Sequence, residues 1–166
     1  MLAGSAALFA TTIEPSTAHA KTAIAADLDY AAPIDSDAKS GAGFAIRLGQ
    51  QIHVPMIVLT PEIVFADHTF SDSGPTAYRG LAGLRLGFGE IIRPGVYAHL
   101  GFGSLSLPDP EPSHTAFTYD GGAFLDLTVL PLLDIGVHGA YNRLNSGKGV
   151  EPFEWVTLGA HAALIF

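Results

Sequence analysis

The chain contains no cysteine. That removes a disulfide framework and any thiolate metal site at once. Charge is scarce too. Asp, Glu, Lys and Arg make up only 14% of the 166 residues, and acids outnumber bases by 16 to 8. The resulting net charge of −8 argues against a nucleic-acid partner, because phosphate binding needs a basic face. Few charges and a positive mean hydropathy suggest a membrane protein. Yet no apolar run is long enough to form a spanning helix, which needs about eighteen residues or more. Hydrophobicity without long runs fits a chain that crosses a membrane on short alternating strands.

What is present is a period of two. In the stretch from Phe153 to Phe166, Val156, Leu158, Ala160, Ala162, Leu164 and Phe166 share one parity and are all apolar. Trp155, Thr157, Gly159, His161, Ala163 and Ile165 share the other, which carries the polar groups. Successive side chains of a strand point to opposite faces, so this is a strand with one greasy side and one mixed side. Eight such stretches follow one another, at about 22–31, 41–51, 56–67, 77–88, 92–104, 115–129, 132–143 and 154–166. The first is Ala-rich, but Ile24, Leu28 and Tyr30 still oppose Asp27 and Asp29. Aromatic residues gather toward the strand ends, as in the girdles of lipid-facing barrels.

Connection lengths alternate as well. Short turns are expected at 52–55, 89–92 and 130–131, and longer Pro-, Asp-, Ser- and Gly-rich loops at 32–40, 68–76, 105–114 and 144–153. These features predict an all-β fold, an eight-stranded antiparallel up-and-down transmembrane β-barrel with turns and both termini periplasmic and loops outside. Pro61 falls inside a strand and removes a ladder N–H, so a local bulge is expected there. Residues 1–20 are expected to be a secretory signal lacking its true start. They have a short apolar core over Leu2–Ile13 and an Ala18-His19-Ala20 cleavage site, but no basic leading region. The barrel domain is then 21–166.

The pattern resembles the small eight-stranded outer-membrane barrels, the OmpA-like transmembrane-domain and OmpX group. The resemblance covers about residues 22–166 and rests on strand count, loop alternation and the ending Leu164-Ile165-Phe166. It implies a place in the bacterial outer membrane, with outer-membrane lipid as the surrounding partner. It also implies that the outer-membrane assembly machinery reads the C-terminal strand through Leu164 and Phe166.

If the apolar face meets lipid, the other face fills the lumen, which in an eight-stranded barrel has room only for side chains. The inward set then holds Asp27, Asp29, Arg47, Glu62, Arg79, Arg85, Arg93, Asp120, Asp126 and Asp134. Charges of both signs away from water must pair, and Glu62 is expected to be clamped between Arg47 and Arg85 on the two neighbouring strands. A static polar plug is the expected state, in preference to a gate that opens a pore. His99, His138 and His161 also point inward at similar depth. Three imidazoles could hold a metal, but the expectation is hydrogen-bonded neutral rings within the plug, with no metal and no cofactor. Trp155, near the upper rim, is expected to fill space or meet the membrane interface rather than serve as a ligand platform.

The loops are where a specific function would sit. Asp35, Asp37, Asp72, Asp109, Glu111 and Glu151 give an acidic rim, and 107–112 reads Leu-Pro-Asp-Pro-Glu-Pro. The rim is either simply solvated or a place for divalent cations or a cationic partner; any surface ligand stays unidentified. The leading functional expectation is a non-enzymatic barrel serving envelope integrity, surface contact or adhesion. An enzyme acting on lipid A is the alternative, with His68, Ser71 and Ser73, or Ser113 and His114, as loop candidates. Their spacing matches no nucleophile elbow. A soluble lipocalin-like binder would need an apolar interior, whereas here the face without charges is the more uniformly apolar one.

Overall fold

The alternation folds into eight strands in the computed structural model, which describes residues 19–34, 38–72, 74–106, 114–145 and 151–166. The strands are β1 (His19–Ile34), β2 (Lys39–Val54), β3 (Ile57–Ser71), β4 (Thr76–Phe88), β5 (Ile92–Ser106), β6 (His114–Leu130), β7 (Leu133–Leu144) and β8 (Phe153–Ile165). Each pairs antiparallel with the next, and β8 returns to β1, so the sheet closes on itself. Closure reaches Phe166, which exchanges backbone hydrogen bonds of 2.7 and 2.9 Å with Thr22. A closed sheet has no edge strand left to pair with other chains.

The barrel is inside out relative to a water-soluble protein. On the outer face Leu28 is 69% exposed and Leu158 67%, whereas on the inner face Arg47 is 7% and Asp134 3% exposed. A soluble fold buries the first kind of residue and exposes the second.

The strands run further toward the loops than the sequence suggests. β3 extends to Ser71, leaving a connection of only 72–75 in place of 68–76. Alternation continues through this polar stretch, with His68 and Phe70 inward and Thr69 and Ser71 outward. At the other end the β2–β3 turn is Pro55-Met56, with Met56 at φ 63°, so β3 starts at Ile57. The bulge expected at Pro61 does not form. Pairing to β2 lapses opposite Gln50 and Gln51 but resumes at Ile52 and Leu59 in unchanged register, and pairing to β4 is continuous. One missing N–H is absorbed as a gap in a single ladder. β1 begins at His19, inside the segment assigned to the signal. The rest of that segment, the 35–37 and 107–113 loops with Asp35, Asp37, Asp109, Glu111 and Ser113, and Ser73 lie outside the described residues.

Along its axis the lumen is layered. Ala31, Phe70, Ala77, Leu144 and Trp155 form an apolar cap at the loop end. Ala23, Ala25, Ala163 and Ile165 form another at the turn end. Most of the charged residues lie between them, while Asp134, the register partner of Ala163, stands level with the turn-end group.

Candidate functional site

All ten inward charges named above face the lumen, each with its side chain nearly out of contact with solvent. Arg47 holds Asp27 in a two-pronged pair, Nε to Oδ2 at 2.8 Å and Nη2 to Oδ1 at 3.0 Å, and donates from Nη1 to Glu62 Oε2 at 3.2 Å. Arg79 donates to Asp120 at 3.3 Å, with its guanidinium 4.8 Å from the Trp155 ring centroid. Arg93 pairs with Asp134 and lies 3.6 Å from Asp126. The two-pronged Arg47–Asp27 pair satisfies the fork of a guanidinium with little loss of freedom.

The clamp on Glu62 is therefore half as expected. Arg47 is there, but Arg85 donates to Asp126 at 3.0 Å, and its guanidinium stacks 3.6 Å above the Phe124 ring. The second oxygen of Glu62 instead meets His99 Nε2 at 3.0 Å. Register explains the exchange. The residue of β4 opposite Glu62 is Gly83, while Arg85 stands opposite Thr60. The long Arg85 side chain is free to cross the lumen to β6.

A recurring rule places the histidines. Glu62 and His99 stand on either side of Gly83 in one cross-strand row. Asp126 and His161 flank Gly136 in the same way. Asp29 and His138 flank Gly159, and Asp29 and His68 flank Gly43. In each row the middle residue lacks a side chain, so an imidazole from one strand reaches a carboxylate two strands away. The contacts are 3.0 Å for Glu62–His99, 2.8 Å for Asp126–His161, 2.8 Å for Asp29–His138 and 3.3 Å for Asp29–His68. A Cβ at Gly159 would stand 2.0 Å from Asp29 Oδ1, and one at Gly136 2.7 Å from both Asp126 Oδ1 and His161 Nε2. Glycine is required at these rows for space.

The three histidines do not converge. His138 and His161 touch through their Nδ1 atoms at 3.2 Å, but His99 is held apart between Glu62 and Asp120, the latter 2.7 Å from its Nδ1. Among the described residues no group of three or more His, Asp or Glu side chains is disposed to hold a metal ion. His138 and His161 each meet one carboxylate, Asp29 and Asp126, and His99 meets two.

His68, read from the sequence as a loop residue beside Ser71, belongs to β3 and is 1% exposed, bonded to Asp29 and packed against Trp155. Ser71 lies on the opposite face of the same strand. The two cannot form a catalytic pair. His114 opens β6, and its proposed partner Ser113 lies outside the described residues. Trp155 is fully buried and packs on Phe70 and Phe153, which sequence reasoning did not place in the lumen. Their signal was available in parity, Phe70 sharing that of Glu62 and Phe153 that of Trp155, once the strands are extended.

Among the described residues two small cavities lie inside the barrel. One, of about 40 Å³, lies among Asp29, His68, Arg79, Tyr97, Asp120 and His138. The other, of about 20 Å³, lies among Thr60, Glu62, Arg85, Asp126, Asp134 and His161. A water needs roughly 10–15 Å³ of such space, so they hold a few waters and no larger ligand. At the loop end lie an exposed ion pair, Lys39 with Asp72, and a half-buried one, Arg143 with Glu154.

No family model matches the chain, and no curated protein matches it by sequence. Solved structures do resemble it. Neisserial surface protein A (NspA) superposes with a TM-score of 0.65 at 15% identity, over 89% of this chain and 97% of that one. Ail, the attachment invasion locus protein of Yersinia pestis, in complex with the heparin analogue sucrose octasulfate, gives 0.62 at 16% identity, over 89% and 99%. The outer membrane enzyme PagL gives 0.61 at 17% identity, over 82% and 97%. Likeness at such identity concerns fold alone: this chain has the closed eight-stranded fold of small bacterial outer-membrane barrels.

Proposed function

We propose that the protein is a non-enzymatic outer-membrane barrel with a closed polar lumen, serving envelope integrity or contact at the cell surface. One observation carries the reading. The charged groups of the interior are cross-linked strand to strand beneath an apolar cap at the loop end, around cavities that, among the described residues, are too small for a solute. Ions passing through would have to break several buried pairs, each costly to separate.

The outer face supplies the membrane side of the reading. Its aliphatic band meets outer-membrane lipid, with Tyr30, Tyr78 and Phe102 toward the loop end and Phe88 and Phe166 toward the turn end. Leu164 and Phe166 point outward at 57% and 63% exposure, where the assembly machinery would read the last strand. Turns and termini face the periplasm, and residues 1–20 contain the export signal. Ail was solved with a polyanionic heparin analogue, but this chain's loops are acidic. A surface partner here would be cationic or bridged by divalent ions.

Planar-bilayer recording on the refolded protein, together with lipid A mass spectrometry on cells expressing it, tests the reading. No conductance and unmodified lipid A are expected. Stepwise conductance would remove the closed lumen, and altered acylation would make the protein an enzyme.

A further inference from the structure

The lumen charges do not balance by themselves. Among the described residues six carboxylates, Asp27, Asp29, Glu62, Asp120, Asp126 and Asp134, face four guanidinium groups, Arg47, Arg79, Arg85 and Arg93. Two negative charges are left over in a closed, low-dielectric space, where an uncompensated charge is costly. Hydrogen-bond directions say where the missing positive charges reside.

His99 stands between two acceptors. Its Nδ1 lies 2.7 Å from Asp120 Oδ1 and its Nε2 3.0 Å from Glu62 Oε1. An ionised carboxylate can only accept, and a neutral imidazole has a single N–H. Both contacts are made only when both ring nitrogens carry protons.

The second case is a chain of four groups. Asp29 Oδ1 lies 2.8 Å from His138 Nε2, His138 Nδ1 lies 3.2 Å from His161 Nδ1, and His161 Nε2 lies 2.8 Å from Asp126 Oδ1. Each Nε2 faces a carboxylate and so carries a proton. The central contact joins two like atoms, and one proton between them turns a clash of lone pairs into a hydrogen bond. Three protons on four nitrogens give the pair one positive charge. Arg85 Nη2 lies 3.3 Å from His161 Nε2, but both are donors and both are satisfied by Asp126 Oδ1. The Tyr97 ring stands edge-on to His138. Beside His161, Asp27, its partner in register, is already held by Arg47. His68 makes its contact through Nε2 to the other oxygen of Asp29, which a neutral ring provides.

We propose that the lumen binds two structural protons, one fixed on His99 between Glu62 and Asp120, the other shared by His138 and His161 in the chain from Asp29 to Asp126. The count of positive charges then equals the count of negative ones. The proposal rests on the closed-lumen reading, since solvated carboxylates would need no such compensation. It also gives the barrel a response to pH. Losing the shared proton costs the pair one hydrogen bond while both carboxylate contacts survive, whereas losing the proton of His99 strips it of a carboxylate contact. The shared proton therefore leaves first on raising pH. Its departure sets two Nδ1 lone pairs against each other and returns a negative charge to the interior, loosening the fold.

Nitrogen-15 NMR of the histidine-labelled protein in detergent micelles or nanodiscs counts protonated ring nitrogens directly, and single His→Gln variants assign the signals. At neutral pH both nitrogens of His99 and three of the four in the His138–His161 pair should be protonated, and the pair should discharge before His99. The resistance to urea should fall over the pH range of that discharge and lose this step in His138→Gln. A bare nitrogen on His99, or a bare Nδ1 on both His138 and His161, in a barrel that conducts no ions would overturn the proton assignment and leave the closed lumen standing. Ion conductance would overturn both.

Discussion

Asp29 and His138 meet across Gly159, with His138 Nε2 2.8 Å from Asp29 Oδ1 although they stand on β1 and β7 with β8 between them. The missing side chain of the middle strand makes the contact. Gly159→Ala should accordingly push the carboxylate and the ring apart, since the added Cβ would stand 2.0 Å from Asp29 Oδ1. Overpacking of this kind costs about 1–3 kcal/mol, to be read from urea unfolding in lipid vesicles. Gly139→Ala is the control, because its Cβ would point outward with its nearest contact at 3.5 Å; it should leave the unfolding midpoint in place.

Removing one partner from a buried ion-pair group should be far more damaging than removing an exposed one. Arg47→Met leaves Asp27 and Glu62 without their shared cation, and a buried pair broken in this way loses about 3–5 kcal/mol. Lys39→Met breaks the pair with Asp72 at the rim, where the two side chains are 69% and 62% exposed, and should change stability too little to resolve. The same vesicle unfolding assay checks both.

How much of this was legible in the sequence follows from what period two can and cannot encode. Parity alone assigns Asp27, Arg47, Glu62 and Asp134 to the inner face, and the structure has them there. It also gives the order and number of the strands. Parity does not give register, so the exchange of Arg85 from Glu62 to Asp126 could not be read. The glycine rows were equally hidden. Gly83, Gly136 and Gly159 are inward glycines like any other until the strands on both sides are aligned. Strand ends were blurred because polar residues such as His68 and Thr69 continue the alternation without looking like a strand, and that is how His68 came to be read as a loop residue.

The outer face should respond to charge according to depth. Leu100, near the middle of β5 and 61% exposed, should lose about 2–4 kcal/mol on replacement by Arg, as expected at a bilayer midplane. Phe88 ends β4 at the turn side, and Phe88→Arg should cost roughly 0–1 kcal/mol, as expected near an interface. Equal effects at the two positions would mean that no hydrocarbon layer surrounds the barrel.

Trp155→Ala tests the layering of the lumen. The ring is fully buried in the apolar cap with Phe70 and Leu144, and truncating such a residue costs about 3–5 kcal/mol. Bilayer recordings on the variant should nonetheless stay silent, because the ion pairs of Arg47, Arg85 and Arg93 still close the lumen beneath the cap. Conductance in this variant alone would assign closure to the cap rather than to the charges.

Closed lumen, lipid-facing band and buried charges all require the barrel to stand in a membrane with its charged face inward. Gel migration of the detergent-folded protein with and without boiling, combined with fractionation of the cells that produce it, tests this most directly. A heat-dependent shift, with the protein recovered in the outer membrane, is the predicted result. A single band unaffected by heat, from a protein recovered in the soluble periplasmic fraction, would contradict the account.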